Sequence, residues 1–259
     1  MVTSINYQWR ITKYNPDFRD DDGYYTIVEE WTCPSQIGQT INGHEFTLNE
    51  YLRVEASYVD TVIQFLVASN LSSLRILQCS TVKISPEERQ SILYEPAFDE
   101  VQVAVDRIVT IQEIRIICQM VLRNLLFCQF YLKDQFFVHF GWDSYMYVGS
   151  CNNSLSAIAF AENNGLFVEP FQSPYYYTEE KTTRLVEWNE ITDDSKLIVG
   201  SEELIEVPIE EYQRVLKLSN EHPVIGQFNL SIEHKEFFQK LLKHEMDFTK
   251  YEYFFTGEH

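Results

Sequence analysis

"QFFVHFGWDSYMYVG", residues 135–149, decides how this chain is read. On a strand over 136–142 the side chains alternate: Phe136, Val138, Phe140 and Trp142 share one face, and Phe137, His139 and Gly141 share the other. Both faces carry rings, so both are expected to be covered, and the stretch reads as the inside of a sheet. It also holds His139, Asp143, Tyr145 and Tyr147, the candidate pocket of an enzyme or small-molecule sensor. On an unbroken strand His139 and Asp143 stand about 13 Å apart at roughly 3.3 Å per residue, too far for an acid–base pair. A turn at "GWDS" instead brings His139 near Tyr145 or Tyr147. The alternative to a catalytic or pocket role is a histidine that serves packing.

Working outward, residues 125–132 read as the strand before it, joined through "LKDQ", and "NNSLSAIAFAENNG" as a helix after it, with Gly165 placed just past its C-terminus. "LFVEPF" follows as a strand. Towards the N-terminus, "INYQWRITKY" (5–14) and "YYTIVEEWT" (24–32) read as a hairpin around a polar turn. Thr47 with Glu50, and Thr110 with Glu113, have the spacing at which two side chains satisfy free backbone N–H groups at a helix start. Helices are therefore expected from both points, with strands at 74–82 and 100–109. Two segments, 5–82 and 125–171, share a strand-strand-helix-strand order that allows a pseudo-repeat.

From 172 the texture changes to turn-formers, mixed charge and Tyr175, Tyr176 and Tyr177 in succession. Strands at 184–190 and 196–207, helices at 208–221 and 231–244, and the terminal strand "DFTKYEYFF" are expected beyond it. Strands grouped in hairpins, without strict strand–helix alternation, indicate an α+β fold with mixed or antiparallel sheets and helices packed on one face. The expected organisation is two lobes, 1–171 and 184–259, joined by a linker over 172–183.

The chain has 259 residues, 39 acidic against 20 basic, for a net charge of −19. Binding of phosphate backbones or anionic lipid relies on Lys and Arg, so direct nucleic-acid and membrane binding are disfavoured. The same field speeds encounter with a basic protein. Five cysteines, widely spaced and without a C-x-x-C pair, give neither a disulfide framework nor a zinc knuckle. With no signal-peptide pattern at the start, a reducing, cytoplasmic setting is the expectation.

No phosphate loop, nucleophile elbow, cofactor motif or helical metal-ligand pair is present, so neither cofactor nor metal is expected. Two acidic groups stand out: Glu202, Glu203 and Glu206 in "SEELIEVPIEEY", and Asp20, Asp21 and Asp22 in "DFRDDDG". Each reads as a docking face for a cationic partner or as solvated surface. Tyr175 to Tyr177 read as a binding patch, since tyrosine combines contact area with a polar tip, or as a loop pinned by its rings. The resulting expectation is a non-catalytic inhibitor or immunity protein. Its acidic, aromatic surface would block a basic, nucleic-acid-binding partner such as a toxin nuclease or defence enzyme.

Overall fold

The computed structural model describes residues 5–22, 25–26, 31–80, 84–142, 144–176, 178, 181–191 and 198–258. The chain divides into two compact units, residues 1–175 and 176–259. In chain order the first holds β1 (Tyr7–Thr12), a short hairpin of β2 (Thr40–Ile41) and β3 (His44–Glu45), α1 (Leu48–Ala68), β4 (Ser73–Cys79), α2 (Ala97–Glu100) and β5 (Ile108–Thr110). It continues through α3 (Ile111–Leu122), β6 (Cys128–Leu132), β7 (Phe136–Phe140), β8 (Met146–Ser150), α4 (Leu155–Asn163) and β9 (Phe167–Pro170). The fold is α+β, and every strand pairing among the described residues is antiparallel.

Seven strands of this unit form one sheet in the order β5-β4-β6-β7-β8-β1-β9. Register places Ile76, Phe130, Val138, Val148 and Trp9 in one row across five strands. All five are buried in a core shared with Val62, Phe65 and Leu66 of α1, Ile114 and Ile117 of α3, and Ala157 and Ala161 of α4. One sheet face is thus covered by helices whose apolar residues recur at helical spacing. Thr47 Oγ1 accepts the Glu50 amide at the start of α1, and at the start of α3 Thr110 and Glu113 make both reciprocal bonds. Past α4, Gly165 takes φ +82°, the left-handed turn that glycine adopts without steric cost.

Three expectations give way to longer-range pairing. Both edges of β1 are occupied, by β8 and β9, so 5–14 and 24–32 do not form a hairpin; residues 23–24 and 27–30 lie outside the described set. The same placement inserts β1 between strands of the segment 125–171. Over 100–109 only Ile108–Thr110 joins the sheet, because the ladder with β4 begins at the Asp106–Arg107 turn. Val101 and Val103 still pack against the core, which explains the strand-like alternation without a strand.

The second unit is a four-stranded sheet, β11-β10-β13-β12, made of β10 (Thr183–Glu190), β11 (Ile198–Glu203), β12 (Gly226–Leu230) and β13 (Tyr251–Glu258). Two short helices, α5 (Ile209–Val215) and α6 (Lys235–Phe238), lie in its sequence. Both are shorter than expected. The chain leaves α5 through Lys217 at φ +58°, and the Lys243 and His244 amides bond to the Glu202 carboxylate instead of extending α6. Val186, Trp188, Tyr212, Phe238, Tyr253 and Phe255 centre its own core.

Candidate functional site

The stretch 136–149 folds as two strands around a tight turn. Gly141 N–H donates to the Tyr145 carbonyl (2.8 Å) and Tyr145 N–H to the Trp142 carbonyl (3.1 Å), ending β7 at Phe140. Trp142 therefore leaves the face of Phe136, Val138 and Phe140 and stands 85% exposed at the tip. The turn sets His139 directly opposite Tyr147, as a bend at "GWDS" requires. Asp143 lies outside the described residues. Tyr145 packs near Tyr14 (6.0 Å between rings) and beneath Arg10 (5.7 Å).

His139 is enclosed. Its ring stacks on Phe137 at 4.2 Å and meets Tyr175 edge-on at 6.2 Å, and its Nδ1 lies 2.9 Å from Ser173 Oγ. That hydroxyl also accepts the Tyr175 amide. A serine beside a histidine suggests a nucleophile and its base, but His139 and Ser173 are 1% and 3% exposed, so no substrate reaches either. Burial lowers the His139 pKa to about 3, keeping the imidazole neutral. The unfolded chain takes up this proton near its ordinary value of about 6.5, so the group's stability is present above that pH and lost as pH falls towards 3. The loss should approach 1.4 kcal/mol per pH unit from this residue, and His139→Leu should flatten that part of the profile in denaturation between pH 4 and 6.5.

Next to Tyr147 on the same row stand Arg10 and Glu169. Glu169 accepts Arg10 Nε and Nη2 at 3.2 and 3.1 Å and Arg19 Nη1 at 2.8 and 2.9 Å, while Arg19 Nη2 donates to Tyr25 Oη at 2.7 Å. Arg10 also lies over Phe171 at 4.3 Å. This group was not visible in the sequence, since Arg10 and Glu169 are brought together only by the β1–β9 pairing. A second such group sits under α1. Arg123 Nε and Nη2 grip both Glu55 oxygens (2.7 and 2.6 Å), Nη1 meets Glu95 (2.7 Å), and the guanidinium lies over Phe98. An open cleft of about 270 Å³ beside it is lined by Pro34, Ser35, Leu93, Tyr94 and Asn124, among others.

The acidic residues divide. Glu202 is half-buried and spent on the Lys243 and His244 amides (2.8 and 2.7 Å), whereas Glu203 and Glu206 are exposed. Asp20, Asp21 and Asp22 are exposed on the loop after β1, in the first unit. Tyr175 lies over Gly141 and beside Tyr147 (5.8 Å between rings), a loop pinned by its ring. Tyr176 is half-buried, and Tyr177 lies outside the described residues. Many basic side chains pair with carboxylates of the same chain: Arg10 and Arg19 with Glu169, Arg75 with Asp106, Arg89 with Asp99, Arg107 with Glu113, Arg115 with Asp60, Arg123 with Glu55, Arg214 with Glu211, Lys217 with Glu233, Lys240 with Glu236 and Lys250 with Asp247.

Among the described residues no group of three or more His, Cys, Asp or Glu is placed to hold a metal ion, and no helix is long and apolar enough to cross a membrane. A family described as a domain of unknown function (DUF7683) matches residues 183–256, from the first residue of β10 into β13. No curated protein and no solved structure matches the chain.

Proposed function

We propose that this is a non-catalytic binding protein of the inhibitor or immunity type, working in the cytoplasm, whose acidic surface occupies the positive groove of a nucleic-acid-binding partner such as a toxin nuclease or defence enzyme. The observation that carries the reading is the disposition of charge. Many of the cations are tied to carboxylates within the chain, while Asp21, Asp22, Glu203, Glu206, Glu210 and Glu221 face solvent. Each such pair uses one charge of either sign, so pairing leaves the surplus of −19 intact. Carboxylates of that kind pair with the Lys and Arg that otherwise meet phosphate.

The test is capture of partners from the native host at low salt, followed by assay of the captured protein's activity with and without this chain. A basic nucleic-acid-binding protein inhibited at one-to-one stoichiometry is expected. Affinity should fall roughly tenfold or more as salt rises from about 50 to about 200 mM. A partner bound equally tightly at both salt concentrations overturns the electrostatic reading.

A further inference from the structure

We propose that the β7–β8 turn, with Trp142 at its tip, is the anchor through which the protein docks a basic partner surface, a cation of the partner lying on the indole face. This rests on the acidic-inhibitor reading and locates its contact. Of the four tryptophans, Trp9, Trp31 and Trp188 are 5%, 8% and 9% exposed, and Trp142 is 85% exposed. A ring of that size held in water gains nothing for folding, and tryptophan is among the residues that most often dominate binding energy.

Ser144 is also tied to the core. Tyr58 Oη, itself buried, donates to the Ser144 carbonyl at 2.6 Å and accepts the Lys13 amide at 2.7 Å, and Ser144 is held at φ +60°, a conformation costly for a residue with a Cβ. With the Gly141–Tyr145 and Tyr145–Trp142 bonds, these described residues around the indole are already held, which lowers their ordering cost on binding.

Charge chooses the occupant. Ile11 pairs with Met146, so the chain leaving β1 emerges at the end of the sheet where this turn lies. Tyr145 packs on Tyr14, Tyr14 on Tyr25 (5.5 Å), and Tyr25 on Arg19, which leads directly into the exposed Asp20–Asp22. An indole displayed by a chain with a net charge of −19 suits Lys or Arg, which gain from the ring's negative face and from the protein's field together. A second copy of this chain, also at −19, is repelled by the same acids.

The exposed indole gives its own signal, because only Trp142 is open to a soluble quencher. The full chain is titrated with a synthetic peptide alternating arginine and leucine, and with a glutamate–leucine control, while acrylamide quenching is recorded and affinity is measured by calorimetry. The arginine peptide should shield Trp142. Trp142→Ala should weaken binding at least tenfold with an unchanged denaturation midpoint, Trp142→Phe should weaken it less, and the Asp20→Asn, Asp21→Asn, Asp22→Asn triple variant should reduce the salt dependence. Equal, salt-sensitive binding to Trp142→Ala overturns the anchor and leaves the acidic reading standing. No binding of the arginine peptide by any variant overturns both. Shielding of Trp142 without peptide, rising with protein concentration alongside dimer formation in sedimentation, overturns the basic occupant in favour of a second copy.

Discussion

Replacing Arg123 with methionine is expected to destabilise the first unit by about 3–5 kcal/mol, because it strands the almost fully buried Glu55 carboxylate without its counter-charge. Both side chains of the pair are 3% exposed, and the guanidinium meets both Glu55 oxygens. The contact joins α1 to the C-terminal end of α3 and holds the 93–95 segment through the Leu93 carbonyl and Glu95. The double variant Glu55→Met, Arg123→Met should recover most of the loss, since it removes both desolvation costs while keeping the volume. Glu95→Gln, at a carboxylate 45% exposed, should cost no more than about 1 kcal/mol. Urea denaturation of the three variants decides the matter. A loss below about 1 kcal/mol for Arg123→Met would mean that the carboxylate finds water or another cation.

That pair also marks where sequence reasoning stops. Glu55 and Arg123 are 68 residues apart, and neither has a local pattern that singles it out. Patterns that repeat within a few residues were legible: the two faces of 136–140, the Thr110–Glu113 cap, and Gly165 past a helix end. Each is settled by the chain's own neighbours. Pairing of β1 with β8 and β9 spans more than a hundred residues, and local alternation in 24–32 offered a nearer partner for which β1, with both edges filled, has no room. The same limit applies to the candidate site. His139 opposite Tyr147 follows from one short turn, but the contacts that decide what His139 can do, Ser173 and Tyr175, come from a loop beyond β9. The shortening of α6 has a similar origin, since the amides that would extend it are held by Glu202 on a strand some forty residues earlier.

Gly149→Ala is expected to be the most damaging small substitution in the large sheet. Gly149 lies directly across from Phe137, and a Cβ placed on it would fall inside the Phe137 ring. Phe137 is 2% exposed and stacked on His139, so its ring has no open space to enter. Overpacking of this sort costs typically 1–3 kcal/mol, and the upper part of that range applies where the ring is hemmed on both sides. The small sheet repeats the arrangement: Gly200 faces Trp188 across the strand pair, under an indole stacked on His244 at 4.2 Å. In both places an aromatic ring covers a glycine on the neighbouring strand, so the ring supplies the packing that the missing side chain does not. If steric overlap is the cause, Gly149→Ala combined with Phe137→Leu should be more stable than Gly149→Ala alone, whereas Phe137→Leu by itself is destabilising. Calorimetric melting of the four proteins measures this coupling, and additive losses without recovery would show that the ring and the glycine act separately.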